Sequence, residues 1–186
     1  MSGWIRLWLG LALAVASVVG GNAAVSAEEH GTRVAIIEMS RILSESSAIH
    51  SIRSQGEAQR RTYAEEAQRE AERLRRARDE LQQQSALLAP AVLEERQRAF
   101  NAEVAAADQR ATAHGQNLQR AVAQGEIRFR EALGTVVAEI ANRQDIELVL
   151  PVQASLFAVA EFNLTDLVIE RLNESFPEIA LTFDEN

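Results

Sequence analysis

The chain has 186 residues, a formal net charge of -8 and no cysteine, and all 19 of its basic residues are arginine. A chain without cysteine cannot be a disulfide-stabilised scaffold. Its acidity also disfavours nucleic acid as a partner, because like charges repel.

The first 27 residues have the pattern of a secretory signal peptide. Arg6 supplies the positive start, residues 7–19 form an apolar core, and Val25-Ser26-Ala27 offers small residues for cleavage. We predict cleavage near Ala27 and export to the periplasm. A retained membrane anchor is the alternative, but the apolar run is shorter than the ~20 residues of a spanning helix.

Residues 28–48 predict the first part of a small body. Val34–Ile37 is a run of β-branched and apolar residues, typical of a buried strand. Ser40 then follows as an N-cap for a short helix that carries Ile42 and Leu43.

Residues 49–144 predict a long helical hairpin, the arm, folded at Pro90. Small and apolar residues recur at the three- and four-residue spacings of a coiled-coil seam. A companion row on the outgoing limb contains Ala64 and Ala71 and is interrupted by Arg78 and Ser85. The predicted seam residues are Ala67, Leu74, Leu81 and Leu88 on the outgoing limb and Phe100, Val104, Ala107 and Leu118 on the return limb.

One straight helix in a parallel oligomer is the alternative to the hairpin, but a proline inside a helix costs about 3 kcal/mol or more. In a hairpin, residues equally far from the Pro90–Ala91 bond should meet, which pairs Leu81 with Phe100, Leu74 with Ala107 and Tyr63 with Leu118. Gly56 would face Gly125 at the root of the arm. Such a pair indicates either a hinge or close helix contact.

Residues 145–177 predict the second part of the body. We expect strands at 146–150 and 156–159, then a helix that begins after Asn163 and ends before Pro177. Residues 178–186 are expected to form a flexible acidic tail. So small a body seldom folds without additional stabilisation from disulfides, a metal or oligomerisation. Since neither disulfides nor a metal site is expected here, we predict that the chain forms an oligomer.

No reactive centre is evident in the sequence. His30, His50 and His114 are too far apart for a metal cluster or a catalytic triad, and His114 is expected to pack opposite Ala67 in the arm. There is no glycine-rich phosphate loop. We therefore expect a binding protein that is not an enzyme and needs no cofactor, metal or nucleotide.

Charge is distributed unevenly along the mature chain. The arm holds 15 arginines against 14 acids, a net charge of +1, whereas the remainder holds 3 arginines against 13 acids, a net charge of -10. Within the arm, Arg73, Arg75, Arg76 and Arg78 form a basic run. These side chains either contact acidic polypeptides or anionic lipid, or pair with neighbouring carboxylates.

Three segments of the chain together are similar to a known family. Val34 to Met39, Ala141 to Leu150 and Asn163 to Val168, placed around an alanine- and arginine-rich hairpin, resemble the Skp (OmpH-like) family of periplasmic chaperones. The resemblance implies an α+β fold and a homotrimer with a small β-rich body. We assign trimer formation to body residues Val34, Ile36, Leu148, Leu150, Leu156, Leu167 and Val168.

In that family, helical arms enclose a cavity that holds unfolded outer-membrane proteins without ATP and prevents their aggregation. The resemblance implies the same clients here. Family arms are often strongly basic and these are nearly neutral, so we expect only weak contact with anionic lipid and moderate salt sensitivity. The alternative is a secreted coiled-coil structural or adaptor protein of the cell envelope, which would hold no unfolded chain.

Overall fold

The computed structural model describes residues 32–184, so the predicted signal peptide lies outside the described residues. The fold is mostly helical, with two long helices and one small sheet. Its elements in chain order are β1 (Val34–Ile37), α1 (Met39–Glu45), α2 (Ser47–Gln84), α3 (Pro90–Arg143), β2 (Leu148–Pro151) and α4 (Thr165–Ser175).

The sheet consists of β1 and β2, which pair in parallel with Val34 opposite Leu148 and Ile37 opposite Pro151. Parallel strands need a long crossover connection, and here the crossover contains α1, α2 and α3. The first strand is therefore paired with a segment far along the chain, and β2 begins two residues later than predicted.

The predicted strand at 156–159 is wrong. Residues between β2 and α4 form two short 3-10 turns, Val152–Ala154 and Ala160–Phe162, separated by irregular backbone. The other edge of β1 is occupied, because Ile36 forms a bridge with Asn163 and its carbonyl accepts a hydrogen bond from Leu164 N at 3.0 Å. The body is consequently less rich in strand than expected.

The core of the chain lies among helices. The largest buried side chain is Phe129 of α3, which is 2% exposed, and Ile42 of α1 and Leu172 of α4 are fully buried. The core joins α1, the start of α2, the last third of α3 and α4. Its other buried members are Ala48, Ile49, Ile52, Ala132, Leu133, Val136, Ile140, Val168, Ile169 and Ile179.

Buried polar groups fix the ends of the short body elements. Thr165 Oγ1 accepts a hydrogen bond from Glu38 N at 2.8 Å and donates one to Asn163 Oδ1 at 2.6 Å. Asn163 Oδ1 also accepts one from Thr165 N, which satisfies a backbone donor at the start of α4. The assigned N-cap of α1 is Glu38 and not Ser40. These bonds tie the end of β1 to the start of α4.

The bend between α2 and α3 precedes Pro90. The helix α2 ends at Gln84, residues 85–89 form the turn, and Pro90 is the first residue of α3. Proline suits that position because its missing N–H would have no helical partner there. The expectation that the outgoing limb reaches Leu88 is therefore wrong by about one turn.

Hydrogen bonds between the two long helices link later residues of α3 to earlier residues of α2. Arg96 donates a hydrogen bond to Gln84 at 2.7 Å and Arg110 to Glu70 at 2.6 Å. Closer to the body, Asn117 donates to the Tyr63 hydroxyl at 3.3 Å. This order is the one expected of helices that run in opposite directions. The register differs from the prediction by at least one residue, since Tyr63 meets Asn117.

The helix contact differs from the predicted seam in its second row. Leu74, Leu81 and Leu88 are half-buried on α2, but their companions are Tyr63, Glu70, Ala77 and Gln84. Ala64 and Ala71, predicted for that row, are exposed. On α3, Phe100, Ala107 and Leu118 are half-buried, whereas Val104 is 41% exposed. Ala67 is also exposed, although it lies beside His114 and Ala107.

The expected loose tail is wrong for the residues that the structure describes. Residues 178–184, here called the C-terminal strap, cross the root of the arm between α2 and α3. Ile179 is 8% exposed and belongs to the core. Leu181 N donates a hydrogen bond to Gln55 Oε1 at 2.8 Å. The strap is held by apolar packing and backbone bonds, which its acidic composition does not reveal.

Candidate functional site

The outer part of the arm is a thin pair of helices. From residue 57 to residue 116 no side chain is buried, and the contact residues are at best half-buried. The helices α2 and α3 contain 38 and 54 residues, which at ~1.5 Å per residue correspond to about 57 and 81 Å. The arm therefore presents nearly all of its side chains to its surroundings.

A polar cluster holds the helices together at the middle of the arm. Glu70 of α2 accepts hydrogen bonds from Arg73 at 2.9 Å and from Arg110 of α3 at 2.6 Å. Arg73 also donates to Glu103 at 2.8 Å. The hydrogen bond from Arg73 lowers the pKa of the Glu70 carboxyl, and those to Glu70 and Glu103 raise the pKa of Arg73. The cluster is exposed and pairs charges across the two helices.

A stacked pair of rings lies one step closer to the body. The rings of Tyr63 and His114 are 4.0 Å apart with an interplanar angle of 13°. His114 Nδ1 is 3.8 Å from Glu66 Oε2, and Ala67 lies beside the same ring. His114 is thus a helix-packing residue, as its position on α3 predicted.

The basic run is only partly engaged within the arm. Arg73 bridges the two helices, and Arg78 forms an ion pair with Asp79 at 2.9 Å. Arg75 and Arg76 have no carboxylate within 4.0 Å among residues 32–184. Pairing with neighbouring carboxylates is therefore confirmed for Arg73 and Arg78, whereas contact of the run with acidic polypeptide or anionic lipid remains a prediction.

The body carries an exposed apolar surface after β2. Phe157 is 82% exposed and Phe162 48% exposed, and Leu156 projects fully into solvent. Phe157 and Phe162 line a cavity of about 250 Å³ together with residues of both strands. Exposed apolar side chains in such a cluster are typical of an interaction surface. The strand residues at this cavity are Val34, Ile36 and Leu150.

The residues assigned to trimer formation fall into two groups. Val34, Ile36 and Leu150 lie at the cavity, and Leu148 is 45% exposed beside them. In contrast, Val168 is fully buried in the chain's own core, and Leu167 packs against that core. Val168 can support a subunit contact only by holding α4 in place.

A larger cavity opens at the root of the arm, with a volume of about 510 Å³. Its lining includes the apolar residues Ile49, Val122 and Phe129. Charged residues of both signs line it as well, namely Arg53, Arg60, Arg130, Glu57 and Glu126. The cavity is continuous with the helical core.

The two predicted hinge glycines do not face each other. A methyl group at Gly56 would lie 3.3 Å from Val122 Cγ2. At Gly125 it would lie 2.5 Å from Leu181 Cδ2 and 3.4 Å from Ile52 Cγ1. Gly125 is therefore a notch that receives the Leu181 side chain. A hinge at Gly56 and Gly125 remains a prediction.

Sequence reasoning missed two side-chain amides at the root, Gln55 and Asn117. Gln55 binds the backbone of Ile179 and Leu181, and Asn117 binds the backbone of Asp184. Asn117 is 2% exposed although it is polar. One signal was present, since Ile179, Leu181 and Phe183 alternate with other residues as in a strand.

Within residues 32–184 there is no group of histidine and carboxylate side chains that could hold a metal ion. In the same range, none of the helices has the apolar length needed to cross a bilayer. The features that remain are the arm, its root and the apolar surface of the body.

The fold defines a mostly helical protein with two long helices and a small two-stranded sheet. The family model described as outer membrane protein (OmpH-like) matches residues 33–172. The chain therefore belongs to the OmpH-like family, and the resemblance drawn from its sequence is confirmed. No curated protein sequence is a significant match.

The fold is also similar to a crystal structure from Caulobacter crescentus CB15, that of an OmpH-like candidate outer membrane chaperone. The TM-score is 0.75 at 15% sequence identity, and the match covers 83% of this chain and 92% of the other. At that identity the comparison supports the shared fold alone. The strap lies beyond the residues that the family model matches.

Proposed function

We propose that this protein is a periplasmic holdase, which binds unfolded outer-membrane proteins between helical arms and prevents their aggregation without ATP. The observation that carries the proposal is the outer arm, where sixty consecutive residues, 57–116, bury no side chain. Such an arm has no buried core of its own, so nearly all of its side chains are available for weak contacts with a client.

Weak, distributed contacts suit the proposed clients. An unfolded barrel protein exposes apolar side chains and unpaired strand edges, both of which aggregate in water. A surface that contacts the client at many points slows aggregation and leaves the client mobile. Family membership supports this function, and the Caulobacter crescentus protein of the same fold is described as a candidate outer membrane chaperone.

A cavity for a client requires more than one arm, so the proposal includes a homotrimer. The exposed apolar surface around Phe157 and Phe162 would be covered by neighbouring subunits. Three antiparallel arms would then extend from one joint body. Because the arms are nearly neutral, we expect contact with anionic lipid to be weak and client binding to be only moderately sensitive to salt.

The test is dilution of a urea-unfolded outer-membrane barrel protein into buffer with or without stoichiometric amounts of this protein, without nucleotide. Light scattering measures aggregation. A holdase keeps the scattering low, whereas a structural or adaptor protein of the envelope leaves it unchanged. Repeating the assay at low and physiological ionic strength tests the expected salt dependence, and a steep loss of protection would contradict it.

A further inference from the structure

The strap is bound at the root through its backbone. Gln55 of α2 donates a hydrogen bond from Nε2 to the Ile179 carbonyl at 2.9 Å and accepts one from Leu181 N at 2.8 Å. Asn117 of α3 donates from Nδ2 to the Asp184 carbonyl at 2.6 Å and accepts from Asp184 N at 3.1 Å. Each helix thus uses one amide to bind both a donor and an acceptor of an extended chain.

The side chains of the strap add apolar contacts and one exposed ion pair, between Asp184 and Arg120 at 3.3 Å. Leu181 enters the notch at Gly125, and Ile179 is buried in the core. Ala180 and Thr182 are exposed between them. The groove therefore selects an extended backbone with an apolar side chain at every second position.

That pattern is also the pattern of a barrel strand. Membrane-spanning β-strands place their apolar, lipid-facing side chains at every second position, and in the strap the large apolar residues Ile179, Leu181 and Phe183 have the same spacing, with the small residues Ala180 and Thr182 between them. Because Gln55 and Asn117 bind backbone atoms of the strap, they can form the same hydrogen bonds with the backbone of any such segment. The strap is thus a chemical mimic of the segments that the proposed clients expose.

We propose that the groove between Gln55 and Asn117 is a binding site for extended polypeptide, occupied in cis by the strap and in trans by an unfolded barrel strand when the strap is displaced. The inference rests on the proposed function, because it specifies where a client segment binds. The strap acts as an intramolecular competitor that admits clients and excludes weak ligands.

Exchange of strap for client conserves the contacts at the groove. Asn117 is 2% exposed beneath the strap, and its amide would meet the backbone of the incoming chain or water once the strap leaves. A tethered segment has an effective concentration in the millimolar range. A client that also contacts the arms can compete with it, whereas an isolated short peptide cannot.

The first experiment uses the full-length chain with Leu181→Asp, which removes the apolar anchor from the Gly125 notch. Its matched control is Thr182→Asp, which adds the same charge at the exposed neighbouring position. The probe is a fluorescent peptide with the sequence of residues 177–184, and anisotropy measures its binding. We expect Leu181→Asp to bind the peptide at least about tenfold tighter than the natural chain and the control.

A second set of variants tests the amides. Adding Gln55→Ala and Asn117→Ala to Leu181→Asp should abolish peptide binding, whereas adding the exposed Gln68→Ala and Asn101→Ala should not. Circular dichroism checks that each variant keeps its helices. Adding Gly125→Ala to Leu181→Asp should weaken peptide binding, because the new methyl group would lie 2.5 Å from the position of Leu181 Cδ2 in the notch that the peptide's leucine must enter.

The final measurement adds a urea-unfolded barrel protein to the complex of peptide and Leu181→Asp. Displacement of the peptide supports the proposal. If the barrel protein stays soluble but the peptide remains bound, the groove is not a client site, and the holdase function stands. If neither the natural chain nor Leu181→Asp prevents aggregation, the holdase function fails, and so does the role of the groove as a client site. The peptide measurements then still show whether the strap competes for the groove. Equal or absent peptide binding in folded variants overturns the strap as a competitor.

Discussion

Arg110 of α3 donates a hydrogen bond to the carboxylate of Glu70 at 2.6 Å, on the face where a coiled coil usually places apolar residues. Glu70, Gln84 and Tyr63 belong to one row of α2, and each meets a polar group of α3. A polar row specifies the register of two helices at a lower stability than an apolar one. The polar row therefore fixes the register of α2 against α3 but stabilises their contact only weakly.

The pKa of Glu70 predicts how the arm responds to acid. Its folded pKa is lowered, chiefly by the hydrogen bond from Arg73, so its stabilising effect is present above the unfolded pKa and lost as the pH falls through the folded one. The middle of the arm should hold its geometry at neutral pH and loosen in acid, as the pH falls below the usual pKa range of a glutamate. Spin labels at Ala71→Cys and Ala111→Cys would report this distance, since the chain has no cysteine of its own.

The same label pair tests Glu70 directly. Glu70→Gln should broaden the distance distribution at neutral pH, as acid does in the parent. Glu72→Gln, an exposed carboxylate on the same helix, is the matched control and should leave it narrow. A Glu70→Gln arm as narrow as the parent at pH 7 would contradict the role of this pair.

Two glycines of α3, Gly115 and Gly125, should respond unequally to replacement by alanine. A methyl group at Gly115 meets nothing within 4 Å, so Gly115→Ala should raise the free energy of unfolding by about 0.5–1 kcal/mol through helix propensity. At Gly125 part of the same gain is offset, because the Leu181 side chain must shift away from the new methyl group. Urea unfolding followed by circular dichroism measures both. Equal stabilisation by the two substitutions would show that the notch contributes nothing.

The elements that the sequence predicted well are those with a local signal. Val34–Ile37 and Leu148–Pro151 are apolar runs bounded by polar residues, and their strands followed from composition. Leu74 and Leu81 recur at the heptad spacing, so their face of α2 was evident. The three segments that carried the family resemblance lie around the sheet and the start of α4.

Features that depend on a distant partner were not predictable. The companion row was misplaced because Ala71 is apolar and Glu70 is charged, and only Arg110 on the other helix explains why Glu70 faces inward. The strand expected at 156–159 lacked a partner, since Asn163 occupies the other edge of β1. The strap is held by Gln55 and Asn117, which precede it by more than 60 residues.

Phe129 is the side chain on which the helical core depends most. It is 2% exposed and packs in the cluster that joins α1, α2, α3 and α4. Phe129→Ala should lower the free energy of unfolding by about 3–5 kcal/mol, through lost burial and a residual cavity. Ile127→Ala, two residues away and 47% exposed, is the control and should change it little. Chemical denaturation of both variants measures the difference, and equal effects would place the core elsewhere.

Phe157 tests whether the apolar surface of the body is a subunit interface. The side chain is 82% exposed within one chain, so Phe157→Asp should not disturb the fold of the subunit itself. In a trimer, the same change would bury three carboxylates against apolar surface, a cost that small interfaces cannot offset. We expect light scattering to give the mass of a monomer for Phe157→Asp at concentrations where the parent gives that of a trimer.

The matched control for this interface is Leu87→Asp, which places the same charge at an 86% exposed residue in the turn at the far end of the arm. Its mass should equal that of the parent. Unchanged helical circular dichroism in both variants separates loss of assembly from loss of folding. A parent that is monomeric, or a Phe157→Asp variant that remains trimeric, would remove this surface from the assembly and with it the proposed origin of the cavity between arms.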